Sequence, residues 1–445
     1  MDRRALLTTT GALPLVLLAG CIGNDAAGSG DDMTDGGDDV DNPIPDPSGT
    51  PGLRADVSDE ALRSLANDNA DFGVEVYREA AKNDENLFLS PYSISVALAM
   101  TYAGARGDTA TEMETVLRFN DPDTVHERFG GLQQALIDRE TTDDPGADDD
   151  AEVDAFKLRV ANALWGQAGV PFAQDFQELI EDYYGAGIAE MAFADDPDGE
   201  RDRINAWIAD QTEDRIEELL PQGSITAQTV LVLTNAIYFL ASWESEFDPD
   251  ETEDGTFYTL DGGESTVPFM TQSARTNYAA IDGAQAVELP YVGGEVSMVF
   301  IVPEAGEFEA FETDLSADVL FETFDRLGDH TGELIVPQFE IESELALRQL
   351  LTDLGMEVPF SQAADFTGMF DAGGEGVFID DVYHDAFVTI DEEGTEAAAA
   401  TAVTMTVSAP PDWGTLRLDR PFLFCIRDRP TDAILFLGRV VDPAA

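Results

Sequence analysis

Residues 386–407 constrain the fold of this chain more than any other segment. Residues 386–390 form an apolar run typical of a β-strand, and an acidic turn containing a glycine follows. Intrinsic propensity then favours a helix over four consecutive alanines and a strand over the β-branched residues that come next. A segment with such divided preferences beside a turn is compatible with two conformations.

The residues after this turn separate into two faces if the chain is extended. Side chains alternate across a strand, so Glu396 lies on the face opposite Thr395. The face that begins with Thr395 carries neither charge nor bulk: Thr395, Ala397, Ala399, Thr401 and Val403. Such a face is suited to entering the middle of a sheet as a new strand. A short exposed helix or a flexible loop is the alternative.

Five short motifs occur in order along the chain. They are residues 86–94, residues 234–239 followed by Trp243, residues 392–401, residues 418–424 and residues 437–443. The third motif resembles the hinge of the reactive loop of the serpins, a family of serine protease inhibitors. The last two resemble the serpin signature and the usual serpin ending, and the first two resemble parts of the family's helix B and central strand. The resemblance covers roughly residues 56 to 443.

Helical patterns come mainly first along the chain and strand patterns mainly last, which predicts the α+β class. The resemblance implies the serpin fold, with several helices around a large central β-sheet, smaller sheets, and an exposed reactive-centre loop near the C-terminus. Residues 230–239 form a continuous apolar run, as expected of a strand covered on both faces. Residues 334–341 and residues 377–390 are each predicted as a single strand.

The N-terminus is typical of an export signal. Arg3 and Arg4 precede a short apolar stretch, and the twin arginines favour the twin-arginine export route. Residues 18–21 resemble a lipobox, in which Cys21 carries the lipid; an ordinary cleaved signal with an incidental cysteine is the alternative. We therefore expect a signal peptide at 1–20, a disordered acidic linker at 21–55 and a folded serpin domain at 56–445, held outside the cell at the membrane.

The charge balance of the chain is extreme. It has 90 acidic and 23 basic residues, a net charge of −67, and only two lysines, Lys82 and Lys157. So acidic a chain repels nucleic acid, and no basic patch is visible for a polyanionic cofactor. In molar salt the Debye length is only ~3 Å, so repulsion between surface carboxylates is screened. We therefore expect a halophilic source, an archaeon, and loss of structure at low salt.

The sequence lacks the usual signatures of an enzyme. There are three histidines, His126, His330 and His384, and no Gly-x-Ser-x-Gly, His-Glu-x-x-His, Cys-x-x-Cys or Walker motif. A hydrolase with an unmarked triad stays open as an alternative, because triads are defined by geometry. We expect no catalytic residue, metal or cofactor.

The resemblance implies two clusters that control opening of the main sheet. Ser90, Ser93, Asn235 and His384 correspond to the serpin shutter beneath the sheet; the alternative is four separately satisfied polar residues. Glu392, Gln338 and Trp243 correspond to the breach at its top. Several serpins pair the acidic residue at the position of Glu392 with a lysine. This chain has Gln338 at the position of that lysine, so it departs from the family there and lacks the ion pair.

The resemblance also implies the mechanism. A serine protease would attack the reactive loop, form an acyl-enzyme, and be trapped when the cut loop inserts into the sheet. The hinge would comprise Glu392, Glu393, Gly394, Thr395, Glu396, Ala397, Ala398, Ala399, Ala400 and Thr401. Family spacing puts the scissile bond between Ser408 and Ala409, with the bonds after Val407 and Met405 as alternatives. No candidate is basic, which favours an elastase-like or subtilisin-like target. The alternative function is a non-inhibitory surface binding or structural lipoprotein with the serpin fold.

Overall fold

A computed structural model describes residues 57–139, 156–374, 376–395 and 413–445. All of them belong to one compact unit, residues 42–445. No helix in these ranges combines the length and apolar character required to cross a membrane.

Four of the α-helices in the described ranges begin at a side-chain cap, at Ser58, Ser90, Asp196 and Ser316. The described ranges contain nine α-helices: α1 (Asp59–Ala80), α2 (Pro91–Tyr102), α3 (Gly107–Val116), α4 (Val125–Ile137), α5 (Gln174–Tyr184), α6 (Pro197–Gln211), α7 (Phe308–Thr313), α8 (Ala317–Arg326) and α9 (Arg348–Asp353). α2 begins as predicted, since the Ser90 side chain accepts from the backbone N–H of Ser93 and Pro91 occupies the first turn. All but the last residue of α2 are buried, which places this helix in the core.

The strands occupy much of the remaining described chain. They are β1 (Leu87–Leu89), β2 (Phe156–Gln167), β3 (Ile188–Met191), β4 (Leu231–Ser242), β5 (Glu253–Tyr258), β6 (Glu264–Ile281), β7 (Ala284–Pro290), β8 (Val296–Pro303), β9 (Gly328–Pro337), β10 (Phe339–Ala346), β11 (Tyr383–Ile390), β12 (Gly394–Thr395), β13 (Thr415–Arg417), β14 (Phe422–Asp428) and β15 (Ala433–Val440).

These strands form two sheets. The nine-stranded sheet has the order β1-β15-β14-β8-β7-β6-β9-β13, with β5 paired to β6. The six-stranded sheet has the order β10-β11-β12-β4-β2-β3. Helices and strands are not arranged as alternating βαβ units, and the predicted α+β class is confirmed.

Both faces of the six-stranded sheet are covered. α2 contacts β4 and β2 on one side, within the main apolar core. On the other side a second apolar cluster joins the sheet to α6 and the segment after it, and its largest members are Trp165 and Trp207. This arrangement explains why β4 is apolar along its length, as the sequence predicted.

Two predicted strands were wrong in their extent. Residues 334–341 belong to two strands in different sheets, because β9 pairs with β6 whereas β10 pairs with β11. The chain changes sheets at Gln338, directly after Pro337, and the buried positions shift there from Leu334 and Val336 to Phe339 and Ile341. The strand predicted at 377–390 begins only at Tyr383, which is where the pairing with β10 starts.

Candidate functional site

The centre of the six-stranded sheet is a pair of strands that are only partly joined. Residues 383–386 of β11 pair in parallel with residues 234–237 of β4, and we call this direct contact the seam. Beyond the seam the two strands separate, and β12 lies between them in what we call the slot. Thr395 pairs with Ala241 of β4 on one side and with Ile390 of β11 on the other.

The first residues of the predicted hinge are packed tightly in the slot. A Cβ atom added to Gly394 would lie 2.2 Å from the carbonyl oxygen of Ala241, so only glycine fits there. The Thr395 side chain is fully buried, and its Oγ1 lies 2.7 Å from the Tyr291 hydroxyl. The slot therefore already holds the beginning of an additional strand.

The three predicted breach residues lie together above the slot. Nε2 of Gln338 donates to a carboxylate oxygen of Glu392 at 2.6 Å, so a neutral amide makes this contact. Thr252 donates to the other oxygen of Glu392 at 2.5 Å, a partner that no sequence pattern marks. Nε1 of Trp243 donates to the carbonyl of Asp391 at 3.0 Å. The acidic turn is thus held by neutral donors.

The four predicted shutter residues form one hydrogen-bonded group beneath the seam. Nδ2 of Asn235 lies 2.7 Å from the carbonyl oxygen and 2.6 Å from the Oγ of Ser93, and 2.6 Å from Oδ1 of Asn162. Nδ1 of His384 lies 2.5 Å from Oδ1 of Asn235, and the backbone N–H of Ser90 donates to Nε2 of His384 at 3.1 Å. Every one of these residues is buried.

The contacts define the state of the imidazole. Nε2 of His384 accepts a hydrogen bond, so Nδ1 carries the proton and donates to Asn235. Burial lowers the pKa of His384 to about 3, which keeps the ring neutral. The group links α2 to β4 and β11, so the seam cannot separate without breaking the bond between His384 and Asn235.

Sequence reasoning missed Asn162 and Asp385. Asn162 lies on β2 and completes the group around Asn235; a polar residue within an apolar run was the available signal, as it was for Asn235. Asp385 lies at the seam, opposite Ala236 of β4 and Glu344 of β10, and is only 8% exposed. Burial, with smaller effects from Glu344 and Glu342, raises the pKa of Asp385 to about 8.

The remaining predicted site residues lie outside the described residues. They are Cys21, Glu396, Ala397, Ala398, Ala399, Ala400, Thr401, Met405, Val407, Ser408 and Ala409. Within the described part of the chain no group of three or more His, Cys, Asp or Glu side chains is arranged to hold a metal ion.

The centre of the six-stranded sheet thus holds a two-residue strand between β4 and β11, above a buried group of hydrogen-bonded polar residues. A family model described as serpin (serine protease inhibitor) matches residues 67–443, and the chain belongs to the serpin family. It is 35% identical to an uncharacterized serpin-like protein of Thermococcus kodakarensis over 100% of this chain and 99% of that protein. It is also 35% identical to the leukocyte elastase inhibitor of Equus caballus, over 86% of this chain and 100% of the relative.

The solved structures agree with this assignment. The crystal structure of the thermophilic serpin tengpin in its native state matches with a TM-score of 0.75 and 27% sequence identity. The match covers 85% of this chain and 94% of tengpin.

Proposed function

We propose that this chain is a single-use inhibitor of serine proteases that traps its target by inserting the cleaved reactive loop between β4 and β11. The observation that carries the proposal is the position of β12, which pairs with both strands and so occupies the first step of that insertion. The chain supplies no catalytic residue. The protease attacks the loop and forms its own acyl-enzyme, and insertion then outruns hydrolysis of that ester.

The register of β12 predicts which residues would meet during insertion. β12 is antiparallel to both neighbours, so each residue further along the loop meets one residue further back on β4 and on β11. Thr401 would then lie between Asn235 and His384, on the same face as Thr395. Insertion would break the hydrogen bond between Asn235 and His384. The hydroxyl group of Thr401 would then lie between these two side chains and could bond to them.

The displacement expected of a full insertion is large. About 14 inserted residues at ~3.3 Å each span roughly 45–50 Å, which is the distance a tethered protease would be carried. Full pairing of the new strand on both sides supplies the driving force, and the native state is the trapped, less stable form.

An elastase-like or subtilisin-like serine protease is the proposed target class. The candidate bonds after Ser408, Val407 and Met405 all follow small or apolar residues. A relative named leukocyte elastase inhibitor supports this choice. Trypsin-like enzymes are disfavoured because their specificity pocket binds Arg or Lys.

We further propose that the inhibitor works outside the cell in molar salt, tethered through a lipid on Cys21. The supporting observations are the apolar N-terminal stretch, the lipobox-like residues 18–21 and the net charge of −67. The acidic linker at residues 21–55 would give the anchored inhibitor domain the reach to meet its protease.

The test is a protease panel applied to the protein purified in molar salt. Elastase and subtilisin should each give a covalent complex that survives boiling in detergent, and trypsin should not. Mass analysis of the released C-terminal peptide identifies the scissile bond. Cleavage of the loop by every protease without any covalent complex would overturn inhibition and leave the non-inhibitory surface lipoprotein as the function.

A further inference from the structure

The inner wall of the slot carries a buried tyrosine that touches the first inserted residue. Tyr291 is fully buried, and its hydroxyl lies 2.7 Å from Oγ1 of Thr395, which is itself fully buried. Two hydroxyl groups at this distance share one hydrogen bond, and either can donate. The two residues are 104 positions apart in the sequence.

Tyr291 is held in place from two sides. The ring of Trp243 stacks on it with centroids 4.6 Å apart and an interplanar angle of 8°, and the ring of Phe239 meets it edge-on at 5.3 Å. The flanking backbone is also fixed, because the N–H of Val292 donates to the carbonyl of Ser242 at 2.9 Å. The phenol therefore has little freedom to follow Thr395 if the hinge moves.

The same tryptophan also orients the turn that delivers Thr395 to the slot. Its backbone N–H donates to the carbonyl of Glu393 at 2.9 Å, and its indole N–H donates to the carbonyl of Asp391. Trp243 therefore contacts both the turn and the Tyr291 ring, and it fixes their positions relative to each other. Burial also raises the pKa of the Tyr291 phenol above its ordinary value, so the hydroxyl keeps its proton.

We propose that Tyr291 is a positioning residue for loop insertion: its hydroxyl holds Thr395 in the first register position and thereby sets the resting position of the hinge. If Thr395 leaves the slot, the Tyr291 hydroxyl stays buried without its partner, and an unpaired buried hydroxyl is unfavourable. The hydroxyl pair therefore favours the state in which insertion has begun. The effect on protease trapping rests on the proposed function, whereas the effect on the hinge does not.

The variants Tyr291→Phe and Thr395→Val each remove one hydroxyl and keep the shape of the side chain. Each single variant leaves one buried hydroxyl unpaired, and we expect the Thr395-position amide to exchange with solvent about tenfold faster. The double variant removes both groups, so its exchange should return close to wild type. Exchange in β15 should be unchanged throughout. Tyr102→Phe is the matched control, because it loses a phenol hydrogen bond, to Glu114, far from the slot.

Protease trapping supplies the second measurement. For each single variant, several-fold more inhibitor molecules should be cleaved per trapped protease molecule, with the rate of loop cleavage unchanged. For the double variant this ratio should return close to the wild-type value. Wild-type exchange in both single variants would overturn the positioning role of Tyr291 while leaving inhibition intact. If wild type traps no protease, the proposed function fails, and the exchange pattern still decides whether the hydroxyl pair holds the hinge.

Discussion

Asp385 carries the sharpest prediction, because its carboxyl group is buried at the seam that the proposed loop insertion would open. Burial, together with Glu344 and Glu342 on β10, raises its pKa from 3.8 to about 8. Across the seam it faces Ala236, which belongs to the apolar cluster beneath α6. The carboxyl group is therefore protonated in the folded protein at neutral pH, although it is ionised in the unfolded chain.

The sign of the pH effect follows from this difference. The folded state binds a proton that the unfolded chain has lost, so stability falls as pH rises from about 4 to about 8 and levels off above that. Each pKa unit corresponds to about 1.4 kcal/mol, so the group lowers stability by roughly 4 kcal/mol at pH 7. Below pH 4 this contribution vanishes, since both states are protonated.

Asp385→Asn replaces the titrating carboxyl group with an amide of the same shape. Its gain in stability over wild type should grow by about 3 kcal/mol between pH 5.5 and 8.5 and then level off, which raises the thermal midpoint by several degrees. The assay is thermal unfolding followed by circular dichroism in molar salt at four pH values. Glu344→Gln should move the transition to lower pH without abolishing it.

Glu340→Gln is the matched control. Glu340 lies on β10, the strand that carries Glu344, but it pairs with Thr389 and is away from the seam. This variant should therefore not reproduce the gain in stability that Asp385→Asn shows between pH 5.5 and 8.5. A gain from Asp385→Asn that is the same at every pH, or absent, would refute the claim that Asp385 is protonated in the folded protein at neutral pH.

Three further predictions concern the hinge, the solvent and the anchor. Thr395→Arg forces a charge into a fully buried position at several kcal/mol, so the loop should be cut at the same bond without covalent trapping on a gel, whereas Glu396→Arg on the opposite face should be far milder. If both variants still trap the protease like wild type, loop insertion is excluded. Dialysis from molar salt to ~0.1 M lengthens the Debye length to ~10 Å, so circular dichroism and inhibition should be lost together, and an unchanged spectrum would refute the halophile interpretation. Cys21→Ser should leave the protein folded but release it from the membrane fraction; unchanged sedimentation with membranes would refute the lipobox interpretation.

The sequence by itself determined the elements and residues whose signals are local. The start of α2 follows from Ser90 and Pro91, because a cap acts on the next turn of the same segment. The burial of Asn235 and His384 follows from their places within apolar runs. Order along the chain was enough to indicate the family and the α+β class.

Only the tertiary structure decided which distant residues meet. Pro337 marks a local break between β9 and β10, but the sequence does not say that β9 then pairs with β6 whereas β10 pairs with β11. Asn162, Tyr291 and Asp385 acquire their roles from partners on other strands, and a residue's own neighbours in sequence carry no information about such partners. The depth at which the hinge rests in the slot likewise depends on the separation of β4 from β11, which is a property of the packed sheet and not of any one segment.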